Sequence, residues 1–223
     1  GEPQQDRLWR GLGDGTFVDV TLDAGLGTRR WTNVDAINAA QAHSNAWSAA
    51  ACDLNDDGYP ELLASSYGRA PNHLWQGSAE GYVNRSIESG YAFDHRTDWT
   101  DNESARCWCK HHRDAPDCAG VPEPELIACQ NDQGLRWNHD YDREPFRLGG
   151  NSGTTVCADL NNDGAIDLLT TEIVHWDVGS SSDPSELLIN TGEADVRFER
   201  PGNEATGLLR PHDRIDWNDG DMT

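Results

Sequence analysis

Two short stretches of the sequence carry oxygen-bearing side chains at strict intervals around a glycine. The first is DLNDDGYPE, residues 53–61, and the second is DLNNDGAID, residues 159–167. In both, positions 1, 3, 5 and 9 are Asp, Asn or Glu, and position 6 is glycine. Calcium prefers six to eight oxygen ligands, which a short loop supplies from alternate side chains and a backbone carbonyl. The spacing therefore predicts one calcium site in each loop.

The predicted ligands occupy equivalent places in the two loops, and the glycine permits the sharp turn between them. Asp56 and Asn162 are expected to face outwards. The first set is Asp53, Asn55, Asp57, the carbonyl of Tyr59, and Glu61; the second is Asp159, Asn161, Asp163, the carbonyl of Ala165, and Asp167.

The alternative is a pair of Asx-rich turns that need no metal. Three ligating carboxylates within nine residues repel one another without a cation, which favours the calcium interpretation. An EF-hand is excluded, because loop position 12 holds Ala64 or Thr170 in place of glutamate. Magnesium is disfavoured, because its near-octahedral demand fits a flexible, carboxylate-rich loop poorly.

Short apolar strands are predicted on both sides of each loop, at 46–52 and 61–66 and again at 154–158 and 167–172. Each second strand leads into a copy of another pattern, a Leu-Trp or Leu-Leu pair, then an aromatic residue, then a glycine. That pattern occurs at 7–26, 73–91 and 186–208. Each copy reads as two strands around a turn followed by a loop.

The complete unit is thus four antiparallel strands with an acidic loop after the first. Repeated four-stranded units are typical of β-propeller blades, so we predict an all-β fold. The loops resemble the calcium-binding FG-GAP/VCBS repeats of integrin-α-like propellers, and the segment LWRGLGDGTFVDVTLDAGL resembles the companion motif of the cartilage-acidic-protein type. Glu61, where the pattern usually has Asp, departs mildly from that family.

The resemblance implies a larger propeller of about seven blades, of which this chain is a fragment, so we expect further blades beyond both of its ends. The residues 92–152 lie outside the resemblance, as an insertion between two blades. The predicted segments are 1–27, the closing half of a blade; 28–91, a blade with loop 53–61; 92–152, the insertion; 153–208, a blade with loop 159–167; and 209–223, the start of the next blade.

The insertion is rich in cysteine, histidine and tryptophan, and its spacing C-x-C-x8-C-x10-C matches no familiar zinc module. The favoured interpretation is two disulfides that cross-link a polar segment. A transition-metal site of thiolates and imidazoles is the alternative. The tryptophans are expected to pack on their own scaffold. The disulfide candidates are Cys107, Cys109, Cys118 and Cys129.

Cys52 and Cys157 lie on equivalent strands but one position out of phase, so they face opposite sides of their blades. We expect both to be buried free thiols.

Composition limits the partners and the compartment. The chain has 39 acidic and 17 basic residues, a formal charge of −22, which disfavours nucleic acid and anionic lipid. Six cysteines indicate an oxidising, extracellular, periplasmic or cell-surface location. No apolar run approaches the length of about 18 residues that a membrane span needs.

No catalytic motif is recognisable, with no G-x-S-x-G elbow, H-E-x-x-H helix or phosphate-binding loop. We therefore expect a non-enzymatic, calcium-stabilised propeller that binds a protein or a glycan. One alternative is a carbohydrate-active enzyme that uses acid pairs of the insertion, Asp98 with Asp101 or Asp140 with Asp142. Another is an accessory subunit of a larger extracytoplasmic complex.

Overall fold

The computed structural model describes residues 4–30, 34–131, 137–144, 148, 150–173 and 183–208. Its regular structure is mostly antiparallel sheet, in three separate sheets, with few short helices. This confirms the all-β prediction, whereas the propeller and its blade count remain predictions. The strands are β1 Trp9–Gly11, β2 Phe17–Asp19, β3 Asn45–Cys52, β4 Glu61–Tyr67, β5 His73–Ser78, β6 Gly81–Asn84, β7 Ser152–Ala158, β8 Asp167–Glu172, β9 Glu186–Asn190 and β10 Phe198–Glu199. The helices are α1 Val34–Asn38, α2 Glu103–His111, a 3-10 helix Pro116–Cys118 and α3 Asn203–Thr206. The segment 209–223, predicted to start the next blade, lies outside the described residues.

Each acidic loop joins the first two strands of a four-stranded sheet. The strand orders are β3-β4-β5-β6 and β7-β8-β9-β10, as the repeat predicts. The last acid of each loop pairs with the residue just before the loop, Glu61 with Cys52 and Asp167 with Ala158. Both sheets also have an irregular register at the same place, near Trp47 in one and Gly153 in the other. The two sheets are therefore two copies of one unit, register included.

The hairpin β1–β2 is a two-stranded sheet that contacts the first four-stranded sheet through the end of its repeat. The Tyr82 amide donates to the Ala24 carbonyl at 2.9 Å. A Cβ on Gly25 would lie 2.4 Å from the Tyr82 oxygen, and Gly25 has a φ of 90°. Only glycine combines this conformation with so close an approach.

The first four-stranded sheet contacts the second in the same way. The Phe198 amide donates to the Ser89 carbonyl at 2.8 Å. Gly90, with a φ of 79°, would place a Cβ 3.2 Å from the Phe198 oxygen. Each repeat thus ends against the last strand of the next repeat, which gives the repeated glycine its structural reason.

The main core lies between the two four-stranded sheets. Its centre is polar as well as apolar, because the buried Tyr91 hydroxyl lies 2.7 Å from Thr155 Oγ1 and 3.3 Å from Ser65 Oγ. Since the three hydroxyls satisfy one another, the aromatic ring can be buried without orphaned polar atoms. The buried apolar members of this core are Leu54, Leu63, Leu74, Tyr91, Leu168, Leu188, Val196 and Phe198.

A disulfide joins Cys52 of β3 to Cys157 of β7, with the Cα atoms 6.5 Å apart. The prediction of two free thiols is therefore wrong. The cysteines do lie on opposite faces of their own sheets, because Cys52 is equivalent to Ala158 in register. Neighbouring sheets pack with opposite faces in contact, so the phase difference is what brings the two sulfurs together.

The insertion contains a helix that the sequence reasoning did not predict. Asn102 caps α2, since its side chain accepts from the Ala105 amide at 3.0 Å. The buried Glu103 carboxylate accepts from the amides of Glu125 and Leu126 at 2.8 and 2.6 Å. An Asn followed by Glu is a helix-start signal that could have located it.

The tryptophans of the insertion pack against its own residues. Trp108 stacks between the rings of His112 and His139, at centroid distances of 4.1 and 3.7 Å. Trp137 is buried with Ala105, and the half-buried Trp108 packs on this cluster. The insertion thus has a small apolar core of its own, in addition to its cross-links.

Candidate metal centres

The first acidic loop is organised by its own carboxylates. Asp53 accepts from the amides of Asp57 and Gly58 at 3.1 and 2.9 Å. Asp57 accepts from the Tyr59 amide at 2.8 Å and from the Asn55 side-chain amide at 3.1 Å. These bonds hold the chain in a tight turn around Gly58.

The second loop repeats this pattern. Asp159 accepts from the amides of Asp163 and Gly164, both at 3.1 Å. Asp163 accepts from the Ala165 amide and from the Asn161 side chain, both at 2.8 Å. The Ala165 amide, followed by the Asn161 amide group, lowers the pKa of Asp163. That carboxylate is therefore held in the charged form that a cation requires.

Backbone conformation also matches between the loops. Gly58 and Gly164 have φ values of 86° and 95°. Asp56 and Asn162, the predicted outward-facing positions, have φ values of 55° and 61°. Asp and Asn tolerate this left-handed conformation better than most residues, which explains their presence there.

The last acid of each loop is fully buried. Glu61 accepts from the amides of Leu54 and Gly77 at 2.7 and 3.2 Å. Asp167 accepts from the equivalent amides of Leu160 and Asn190 at 3.0 and 2.9 Å. The longer side chain of Glu61 therefore holds the same two backbone positions as the aspartate.

Burial raises the pKa of Glu61, and the two amides that it accepts from partly oppose this. A cation beside the loop would favour the charged carboxylate and so offset the cost of its burial.

The first loop also contacts the second four-stranded sheet. The Asn55 side-chain amide donates to the Ala194 carbonyl at 2.9 Å, and Gln76 donates to the same carbonyl at 2.8 Å. The Asn190 side chain donates back to the Leu54 carbonyl at 2.7 Å. Sequence reasoning did not predict this contact, because Ala194 lies 139 residues beyond Asn55.

The oxygen ligands that the loops offer fit calcium both in their chemistry and in their positions along the loop. Both loops offer two aspartates and an asparagine at alternate positions, as hard-oxygen coordination requires. In addition, Asn55 Oδ1 is buried and has no hydrogen-bond partner in the described part of the chain. A buried oxygen without a donor is costly, and a cation would satisfy it. Ligation by the carbonyls of Tyr59 and Ala165 stays a prediction.

The cysteines of the insertion form disulfides, Cys107 with Cys129 and Cys109 with Cys118. Within the described residues, two groups of three His, Cys, Asp or Glu side chains bring ligand atoms within 4.8 Å of one another. Both lie in the insertion: Cys107, His111 and Cys129, and Asp117, Cys118 and His139. The acids of the calcium loops are not among them, so an ion would have to draw their side chains together.

The acid pairs considered for catalysis are mostly engaged in structural bonds. Asp98 caps the Thr100 amide at 2.9 Å, and Asp101 forms an ion pair with Arg96. Asp142 accepts from the Asn138 amide at 2.7 Å and is 2% exposed. The structure therefore gives no specific support to a glycosidase site at these pairs.

A buried cluster of acids that sequence reasoning missed lies at the end of β8. Glu172 accepts from the Asn151 amide at 3.0 Å and from the Ser152 hydroxyl, and Asp183 accepts from the Gly150 amide at 2.8 Å. Burial raises the pKa of both acids, that of Asp183 to about 7. Arg200 pairs nearby with Glu186. No local sequence pattern marks this cluster.

No model of a known protein family matches the chain, and comparison with curated proteins finds no match. The resemblance to FG-GAP/VCBS repeats therefore rests on the motifs themselves. In the described part of the chain, no helix has the length and apolar character to cross a membrane.

Proposed function

We propose that this chain is part of a calcium-stabilised β-propeller outside the cytoplasm that binds a protein or a glycan and is not an enzyme. The succession of sheets supports the propeller. The hairpin β1–β2 meets the first four-stranded sheet, and that sheet meets the second, through the same glycine and amide contacts at Gly25 and Gly90. Repeated contacts of this kind generate a regular array of units.

The observation that carries the calcium proposal is the hydrogen-bond pattern that the two loops share. Asp53 and Asp159 each accept from the amides four and five residues ahead. Asp57 and Asp163 each accept from the amide two residues ahead. The two loops are 106 residues apart and share both this pattern and the order of their ligands. The best explanation is that each loop binds the same kind of ion.

Calcium at the first loop would have a second effect. Asn55 donates to Ala194 through its amide and would offer the ion its free Oδ1. The ion would thus hold the first loop against the second sheet, close to the Cys52–Cys157 disulfide. Calcium would therefore stabilise the contact between sheets as well as each loop.

Two features support a location outside the cytoplasm and a binding role. Three disulfides link all six cysteines, as in proteins of oxidising compartments. The acidic surface, with a formal charge of −22, favours cations and basic partners.

The test compares two aspartates in one loop. Asp57→Asn removes the negative charge of a predicted ligand, and Asp56→Asn removes the same charge from the outward-facing position while tolerating its positive φ. We expect the wild-type chain to bind calcium by titration calorimetry and to melt at a lower temperature in chelator. Asp57→Asn should reduce both effects, and Asp56→Asn should leave them nearly unchanged. Equal effects of the two substitutions, or melting insensitive to chelator, would contradict the calcium proposal. A glycan array and a turnover screen on the same protein would distinguish binding from catalysis.

A further inference from the structure

We propose that Cys107, Cys129 and His111 form a binding site for a thiophilic metal ion, with Zn²⁺ as the probe, when the Cys107–Cys129 disulfide is reduced. The oxidised and the metal-bound forms are then alternative cross-links of the same segment. This site is independent of the calcium loops.

The positions of the three side chains carry the proposal. Cys107 and His111 lie one turn apart on α2, and Cys129 is held beside Cys107 by the disulfide. Their ligand atoms lie within 4.8 Å of one another. Tetrahedral zinc with Zn–S bonds of about 2.3 Å separates two sulfurs by roughly 3.8 Å. Once the S–S bond is broken, a small separation of the sulfurs is enough to admit the ion.

Burial and charge also suit a cation. Cys107 is buried, Cys129 is half-buried and His111 is exposed, so an ion can enter from solvent and bind inwards. His111 is the last residue of α2. The carboxyl end of a helix carries a partial negative charge that favours cations.

The second group of candidate ligands in the insertion does not offer the same chemistry. The Trp137 indole donates to His139 Nδ1 at 3.2 Å, so the neutral ring carries its proton on Nε2. That nitrogen faces the Asp117 carboxylate at 2.8 Å. His139 therefore has no lone pair directed at Asp117 and Cys118, and of the two groups only the one with His111 contains an exposed histidine.

The chemical step balances with a thiol reductant. A dithiol supplies two electrons and two protons to the disulfide and is itself oxidised to a disulfide, leaving thiols on Cys107 and Cys129. Zn²⁺ then displaces both thiol protons and binds two thiolates and the imidazole. Water occupies the fourth position, as is usual where three protein ligands bind zinc.

The experiment uses the full chain, reduced anaerobically with a phosphine and titrated with Co²⁺ and then Zn²⁺. We expect one equivalent of Co²⁺ to give a thiolate-to-metal absorption band that Zn²⁺ abolishes, and no band in the oxidised chain. His111→Ala should weaken Zn²⁺ binding by about tenfold or more. Loss of a hydrogen-bond partner of a metal ligand already lowers metal affinity by about that much, and loss of the ligand itself should lower it at least as far. The matched control is His95→Ala, an exposed histidine of the same insertion.

Two double variants assign the sulfurs. Cys107→Ser with Cys129→Ser should abolish the band, and Cys109→Ser with Cys118→Ser should keep it. The proposal is overturned if the reduced chain takes up no metal, if the band survives loss of Cys107 and Cys129, or if His111→Ala binds like His95→Ala. Equal metal binding by His111→Ala and His95→Ala is also expected if the reduced chain unfolds and binds metal through cysteines alone. That result therefore counts against the site whether or not the chain stays folded.

Discussion

Replacing Cys52 and Cys157 together by serine should lower the free energy of unfolding by about 4.5 kcal/mol. The two cysteines are 105 residues apart in sequence. The Cys107–Cys129 disulfide bridges 22 residues within that span, so the loop that is closed is roughly 85 residues long. The chain-entropy relation for such a loop gives about 15 cal/mol/K, which is the stated loss at 25 °C.

The matched control is the double replacement of Cys109 and Cys118, which are 9 residues apart. The same relation gives a smaller loss, about 2.7 kcal/mol. Urea unfolding followed by tryptophan fluorescence measures both variants. We expect the larger midpoint shift for the Cys52 and Cys157 variant. A non-reducing peptide map of the wild-type chain should find the peptides of Cys52 and Cys157 joined.

A loss below about 1 kcal/mol for the long-loop variant, or a loss smaller than that of the control, would refute the reasoning. Either result would mean that this cross-link does not restrict the unfolded chain as the chain-entropy relation assumes. Free thiols at Cys52 and Cys157 in the wild-type chain would refute the sheet packing that brings these strands together.

Two further predictions concern pH, and they have opposite signs. Burial, followed by the nearby His43, lowers the pKa of His73 to about 4, and neither of its ring nitrogens has a partner among the described residues. The stability that depends on neutral His73 is present above pH 6.5 and is lost as pH falls towards 4. Over that range, the free energy of unfolding of His73→Phe should therefore rise relative to that of wild type by about 3 kcal/mol. Burial raises the pKa of Asp183 to about 7, so the stability that depends on its protonated form is lost as pH rises through 7. Asp183→Asn keeps an acceptor for the Gly150 amide. Between pH 4 and 8, its free energy of unfolding should therefore rise relative to that of wild type by roughly 2–4 kcal/mol. Urea unfolding of the variants and wild type across this pH range measures both trends, and parallel pH profiles for a variant and wild type would contradict the corresponding prediction.

Local patterns in the sequence were sufficient for the repeating unit. The bounds of β8 match the predicted strand, and those of β4 differ by one residue. Alternation along a strand and acidic spacing in a loop act over fewer than ten residues, so they can be read without the fold. The acidic spacing was readable even where the residue type differs, because the longer side chain of Glu61 accepts from backbone amides equivalent to those that bond to Asp167.

Contacts between distant elements were not readable in this way. The helix α2 depends partly on Glu103, whose carboxylate accepts from amides more than twenty residues ahead. The cluster of Glu172 and Asp183 consists of ionisable acids, yet it lies in the interior because several segments converge there.

The sequence by itself determined the four-stranded unit, its acidic loop and the glycine at its end. Only the tertiary structure decided that Cys52 bonds to Cys157 and that Asn55 reaches Ala194. The physical reason is the packing of neighbouring sheets through opposite faces. A strand's phase tells which face a side chain is on, whereas the partner across that face is set by how the next sheet is placed.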